Sequence, residues 1–350
     1  VSEAVGPPSA CAGGGPGLFL AHPLGGPAAT PQEKHDLTQQ LHRTGVSSRS
    51  STFTGLSAFP LTPLVDDQVD EGAFAGLVGR LARAGVDSIT VLGSTGSYAY
   101  LTGRERARVA RLAVEHAGAT PVIVGVGALR TSHVLACVED AEAAGAAGLL
   151  LAPMSYQPLT DDEVFELFRT VTEHFSLPVV VYDNPGTTHF TFSLDLYARI
   201  AALPGIASIK IPGVPTDPVA ARAHVAAIRA AVPETVTIGV SGDALGAAGL
   251  LAGCDVWYSV IAGTLPAPPL RITRAAQRGD AAEALAESRR LAPLWDLFAE
   301  FGGSLRVTAA IAEEVGLVRA PSLPLPILGL DREQRARVVE VIEKLRLPDG

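Results

Sequence analysis

The residue best suited to do chemistry is Lys210. The other two lysines, Lys34 and Lys344, lie in an atypical N-terminal tract and near the C-terminus, and the remaining Lys+Arg positions are all arginine. Arginine keeps its proton almost unconditionally, whereas a lysine amine can be deprotonated by burial and can then attack a carbonyl. Lys210 also sits in the apolar run Gly205-Ile-Ala-Ser-Ile-Lys-Ile-Pro-Gly213, where a solvated charge is out of place. Residue type and setting predict an amine that forms a Schiff base. The plainer alternative is a lysine that extends from a strand end to water.

Other groups could serve such an amine. Tyr182 carries a phenol able to shuttle protons as a carbinolamine collapses, although a tyrosine capping a core is common. The run Gly93-Ser-Thr-Gly-Ser97 offers backbone N–H groups and hydroxyls that could grip a carboxylate; it could equally be plain turn chemistry. Asp243, after Gly242, is read as the N-cap of a following helix. His189 is read as an exposed loop histidine.

These groups need a frame. From Phe53 onward, short strands alternate with Ala/Leu/Arg/Glu stretches of helical period. The predicted strands are Gly55–Phe59, Ser88–Leu92, Pro121–Gly125, Gly148–Ala152, Pro178–Tyr182, Ala207–Ile211, Thr235–Val240 and Asp255–Val260. Eight such units over residues 53–279 predict a (β/α)8 TIM barrel, whose catalytic groups stand at the C-terminal ends of the strands. The chemical residues above fall there. Strand alternation predicts Ile206, Ser208 and Lys210 facing the barrel interior, with Ala207, Ile209 and Ile211 against the helices. Residues 280–350 predict a C-terminal helical region with about three helices. Residues 1–52 are rich in Gly, Pro and Ala and then polar; they are expected to be a disordered or extraneous N-terminal extension, and their apolar piece makes a poor signal peptide.

The acidic balance, Lys+Arg 27 against Asp+Glu 36, has no basic cluster to track a phosphate backbone, so nucleic acid is not expected as a partner. No apolar run approaches the roughly 18 residues of a membrane span. Cys11, Cys137 and Cys254 are far apart without a CxxC, and no histidine pair has metal-ligand spacing. A reducing, cytoplasmic setting without a metal is expected.

Taken together, the motifs resemble those of the dihydrodipicolinate synthase/N-acetylneuraminate lyase family of pyruvate-dependent class I aldolases. Phe53-Thr-Gly55 and Thr62-Pro63 are similar to its opening strand. Gly93-Ser-Thr-Gly96 is similar to its carboxylate-binding loop, Tyr182-Asp-Asn-Pro185 to its Y-N-x-P segment, Ile209-Lys210 to its Schiff-base strand, and Gly242-Asp243 to the G-D after strand seven. The resemblance implies Lys210, Tyr182 and Ser94 as catalytic residues. It implies substrate binding by Gly93, Thr95, Gly96, Ser155, Tyr156, Thr187, Gly242 and Tyr258. It also implies pyruvate or another 2-oxo acid as the small-molecule partner, no cofactor beyond the lysine imine, and a homo-oligomer, dimer or tetramer. The chain departs from the family pattern at three places. Ser97 stands where the loop often has glutamate. Thr187 stands where the synthases have an arginine for the second substrate's carboxylate. Ser155 stands where they have the tyrosine that crosses the dimer interface, with Tyr156 one residue later. The expected activity is therefore a class I lyase or aldolase. A 2-oxo acid dehydratase or hydratase-aldolase, a true 4-hydroxy-tetrahydrodipicolinate synthase and a non-catalytic oxo-acid-binding barrel are the alternatives.

Overall fold

The computed structural model describes residues 51–347. Among them, eight parallel strands close into a barrel: β1 (Gly55–Ala58), β2 (Ser88–Val91), β3 (Val122–Gly125), β4 (Gly148–Leu151), β5 (Val179–Tyr182), β6 (Ile206–Ile211), β7 (Thr237–Val240) and β8 (Val256–Ser259). Each pairs in parallel with its neighbours in sequence, and β8 closes on β1. Every predicted strand is present, shorter by one or two residues at an end in most cases. The expectation for residues 1–52 lies outside the described residues except for Ser51 and Thr52, which begin a short helical turn.

The surrounding helices are α1 (Glu71–Ala84), α2 (Gly103–His116), α3 (Thr131–Ala144), α4 (Asp161–His174), α5 (Leu194–Ala201), α6 (Pro218–Ala231), α7 (Gly246–Leu251) and α8 (Ala267–Gln277). Local signals define their ends. Thr102 with Glu105, and Thr160 with Glu163, form capping boxes at the starts of α2 and α4, satisfying N–H groups that have no intrahelical partner. Gly85 ends α1 at φ 76, a left-handed conformation that glycine adopts without strain.

Alternation divides the barrel's apolar residues into two layers. Outward residues such as Val91, Val124, Leu151, Val181 and Trp257 pack against the helices. Inward residues include Ile123, Leu150, Val180, Val256 and Tyr258. The interior also holds two polar pairs whose groups satisfy each other: Ser57 with Thr90 at 2.7 Å, and Tyr258 donating to Ser208 at 2.8 Å.

The alternation predicted for β6 holds for Ser208 to Ile211 and fails below them. Ile206 joins the outer layer and Ala207 packs against the inner cluster, the reverse of the expectation. The cause is a register shift: Val179 pairs with Ile206, but Val180 pairs with Ser208, so the ladder steps over Ala207.

The C-terminal region holds four helices rather than three: α9 (Ala281–Arg290), α10 (Ala292–Glu300), α11 (Ser304–Glu314) and α12 (Arg332–Leu345). Pro293, in the first turn of α10, lacks an N–H and separates that helix from α9. Ala309 and Ala312 of α11 pack with Leu77 of α1 and Leu61 after β1, which fixes α11 near the barrel mouth.

Candidate active site

β6 carries Lys210 to the C-terminal end of the barrel, paired across the ladder with Tyr182 of β5. Its side chain is buried, with Nζ 4.2 Å from the centroid of the Tyr182 ring and 5.2 Å from that of Phe59. Burial pulls the amine below the usual lysine range, outweighing the opposing influences of Tyr182, Asp243 and Asp183. Such a shift favours the neutral amine, whose lone pair is what attacks carbonyl carbon.

The phenol of Tyr182 belongs to a three-residue cluster. Asn184 Nδ2 donates to it at 2.8 Å, and Ser94 Oγ lies 3.2 Å away. Asn184 also stands 3.5 Å from Ser94 Oγ. Because the phenolic oxygen accepts from Asn184, its own proton is directed elsewhere, toward Ser94 or a ligand. Asn184 falls within the Tyr182–Pro185 motif, but nothing in the sequence alone gives it a role.

The Ser94 loop is bounded by two residues at positive φ, Leu92 at 56° and Ser97 at 55°. For a leucine this conformation is strained, and such strain is concentrated at functional loops. Ser97 N–H donates to the Ser94 carbonyl at 3.1 Å, closing the turn. Ser94, Thr95 and Ser97 line the cavity, whereas Gly93 and Gly96 lie behind it. Their lack of a side chain is steric in purpose. A Cβ on Gly93 would stand 2.8 Å from the Phe59 ring, and one on Gly96 would stand 2.9 Å from the Leu92 nitrogen. Phe59, missed by the sequence reading, thus sits between Gly93 and Lys210 and meets Tyr258 edge-on at 6.0 Å.

Other predicted positions also reach the cavity, each with its own surroundings. Tyr258 lies in the floor, fully buried, its hydroxyl engaged by Ser208. Gly242 turns the chain at φ 79. Asp243 does not cap the turn it begins. It accepts from Ser259 Oγ at 2.8 Å and from the N–H groups of Val260 at 3.2 Å and Ile261 at 2.9 Å, because β7 and β8 are adjacent and their exits meet. Ser155 donates to the Gln157 carbonyl, and Tyr156 is 89% exposed, so neither bonds to Tyr182 or Ser94 within the chain. Thr187 ends up exposed in the short turn Pro185–Thr188 and supplies no cation. His189 is exposed, as read from sequence.

Two buried groups border the cluster. Tyr98 lines the cavity with the Arg106 guanidinium 5.5 Å from its ring centroid, and burial pushes its phenol up to about 12, with Tyr182 adding to the rise. Asp183 faces away from the interior and accepts from Tyr197; burial pushes its carboxyl up to about 6 against that bond and Lys210. The cavity itself measures about 1050 Å³ and extends past the barrel end to Trp295, Phe298 and Arg306 of the C-terminal helices. Among the described residues, no three His, Cys, Asp or Glu side chains gather to hold a metal ion, and no helix is long and apolar enough to cross a membrane.

Known proteins resemble this chain in sequence and fold. A sequence model described as the dihydrodipicolinate synthetase family matches residues 52–345. The chain belongs to the dihydrodipicolinate synthetase family. A 4-hydroxy-tetrahydrodipicolinate synthase of Thiobacillus denitrificans is 33% identical over 288 residues, covering 81% of this chain and 94% of that one. The crystal structure of dihydrodipicolinate synthase from Agrobacterium tumefaciens is 45% identical, covers 85% of this chain and 100% of its own, and superposes with a TM-score of 0.81. A prophage protein of the dihydrodipicolinic acid synthase family from E. coli K12, in complex with pyruvate, is 25% identical with a TM-score of 0.75, over 85% of this chain and 99% of that one. Membership makes this family member a lyase of the class I aldolase type.

Proposed function

We propose that the enzyme acts on a 2-oxo acid by forming a Schiff base with Lys210. The observation that carries this reading is a buried amine, 4.2 Å from the ring of a tyrosine whose phenolic oxygen already accepts a hydrogen bond from Asn184. The pyruvate bound to the E. coli relative supports the ligand class.

Lys210 Nζ attacks the C2 ketone. The resulting carbinolamine loses the C2 oxygen as water, with the required proton given by Tyr182 and restored through Ser94. Ser94, Thr95 and the loop's N–H groups hold the C1 carboxylate. The iminium then accepts the electron pair of a bond at C3. Cleavage of C3–C4 releases a carbonyl compound and leaves an enamine, which takes a proton at C3; water then returns the ketone and frees the amine. Run in reverse, the same steps condense the enamine with an aldehyde.

A second outcome has support from the size of the cavity, about 1050 Å³, which is well beyond what pyruvate fills. The same imine on a longer hydroxylated 2-oxo acid would expel the hydroxyl beta to the iminium and dehydrate it.

Borohydride in the presence of pyruvate, followed by peptide mass spectrometry, tests the imine. A reduced pyruvyl adduct on Lys210, absent in Lys210→Arg, is expected; equal labelling of both proteins would sink the mechanism. Pyruvate release across a panel of oxo acids separates cleavage from dehydration, since dehydration turns substrate over without releasing pyruvate.

A further inference from the structure

The cavity has an outer compartment that the imine mechanism does not use. Its wall is built by the C-terminal region: α10 contributes Trp295 and Phe298, and the first turn of α11 contributes Arg306. Arg306 is half-buried, and its Nε donates to the Leu328 carbonyl at 3.0 Å. Among the described residues, its two terminal nitrogens have neither a hydrogen-bond nor an ion-pair partner. The guanidinium is therefore anchored on one edge while its other edge remains open, the geometry suited to a forked contact with an oxyanion. The packing of α11 against Leu61 and Leu77 holds this edge on a rigid element.

The remaining charges of the cavity agree. Burial disfavours the charged form of Lys210. Asp243 is the one Asp or Glu among the described residues of the lining, and three donors already occupy its carboxylate. Among the described residues, Arg306 is thus the one permanent cation of the cavity wall, and no free carboxylate opposes it. In the imine reading the 2-oxo acid's own carboxylate is held by the Ser94–Thr95 loop, which follows β2.

We propose that the substrate is a 2-oxo acid bearing a second anionic group at the end remote from its ketone, and that Arg306 recognises that group. The inference rests on the imine reading above. Arg306 would do from α11 what Thr187, in the β5 loop, has no charge to do. Carboxylate and phosphate fit the guanidinium fork alike, so the shared chemistry is a terminal oxyanion.

The test uses borohydride trapping on Lys210 as a binding assay. The probes are straight-chain 2-oxo diacids of five to seven carbons, each compared with the 2-oxo monoacid of equal length, and the phosphonate analogue of the best diacid. The expected result is half-trapping at a concentration at least about tenfold lower for one diacid than for its monoacid. In Arg306→Gln that ratio falls to below about threefold, and Arg306→Lys is intermediate because it keeps the charge without the fork. The monoacid is the internal standard: general damage to the fold weakens both probes and leaves the ratio alone. A phosphonate better than the diacid assigns the group to a phosphoryl ester; a weaker one assigns it to a carboxylate. Equal trapping of diacid and monoacid at every length, or a ratio unmoved in Arg306→Gln, overturns the proposal while pyruvate still labels Lys210. No label from any probe, pyruvate included, instead overturns the imine reading and this inference with it.

Discussion

The two halves of the cavity are built differently. Around Lys210, each group stands on a strand or in the first residues after one: Tyr182 and Lys210 are ladder partners, and Ser94 and Asn184, just beyond β2 and β5, lie 3.2 Å and 2.8 Å from the phenol oxygen. Around Ser155, Tyr156 and Thr187, the groups belong to loops and satisfy themselves locally or point to water. A barrel can keep one reaction at its strand ends while its loops and appendages decide what the reaction is done to. In this chain the open rim leaves that choice to the C-terminal helices.

Substitutions can break or sharpen that contrast. The largest effect belongs to Lys210: Lys210→Ala should lower kcat/KM by about 10⁴-fold or more and remove the borohydride label, because no other lysine lines the cavity among the described residues. A fall of less than tenfold would return Lys210 to a structural role. Tyr182→Phe should cost about 10²–10³-fold in kcat while the fold persists, since the ring still packs over Lys210 and only the proton donor is lost. Circular dichroism and steady-state rates together check this.

Next in size is a stability effect of Asp183, read by thermal unfolding against pH. Its carboxyl is raised from 3.8 to about 6 in the folded chain. The native state therefore favours the protonated form. The stabilisation this gives is complete below the unfolded value and is lost as pH rises through about 6. Asp183→Asn should raise Tm by about 2–4 °C at pH 8, and the gain should vanish near pH 4. A gain that persists at pH 4 would rule out burial of the charge as its origin.

The smallest effect is expected at the rim. Tyr156→Ala should change the rate of adduct formation by less than about twofold, since the side chain is 89% exposed and bonds to nothing in the inner cluster. A drop of more than about tenfold would mean that a second copy of the chain brings Tyr156 to its neighbour's site, and the rim would then be completed by assembly.

How much of this could be read in the sequence follows the same division. The eight strands were legible because runs such as Val179–Tyr182 are short, β-branched and bounded by turn residues. Lys210, Tyr182 and Ser94 were legible because strand ends place them, and they do meet in space. Phe59 and Tyr98 were not, because an aromatic side chain in a cavity wall has the same sequence signature as one in a core. Arg306 was invisible among many arginines: its value comes from the packing of α11 on α1, a contact between distant parts of the chain. Asp243 was assigned to the wrong partner, since a cap on the neighbouring strand's exit leaves no local mark.

The skipped residue in β6 has a consequence for how such barrels tolerate change. A closed sheet has no loose edge at which a length change can be discarded, and each strand's phase is clamped from both sides. By stepping over Ala207 at the entry of β6, the ladder absorbs one residue before the reactive end is reached. Slippage is confined to the far mouth, and Lys210 keeps its inward phase. Deleting Ala207 should therefore leave an enzyme whose amine still faces Tyr182, whereas deleting Ile209 would turn it out into the helices.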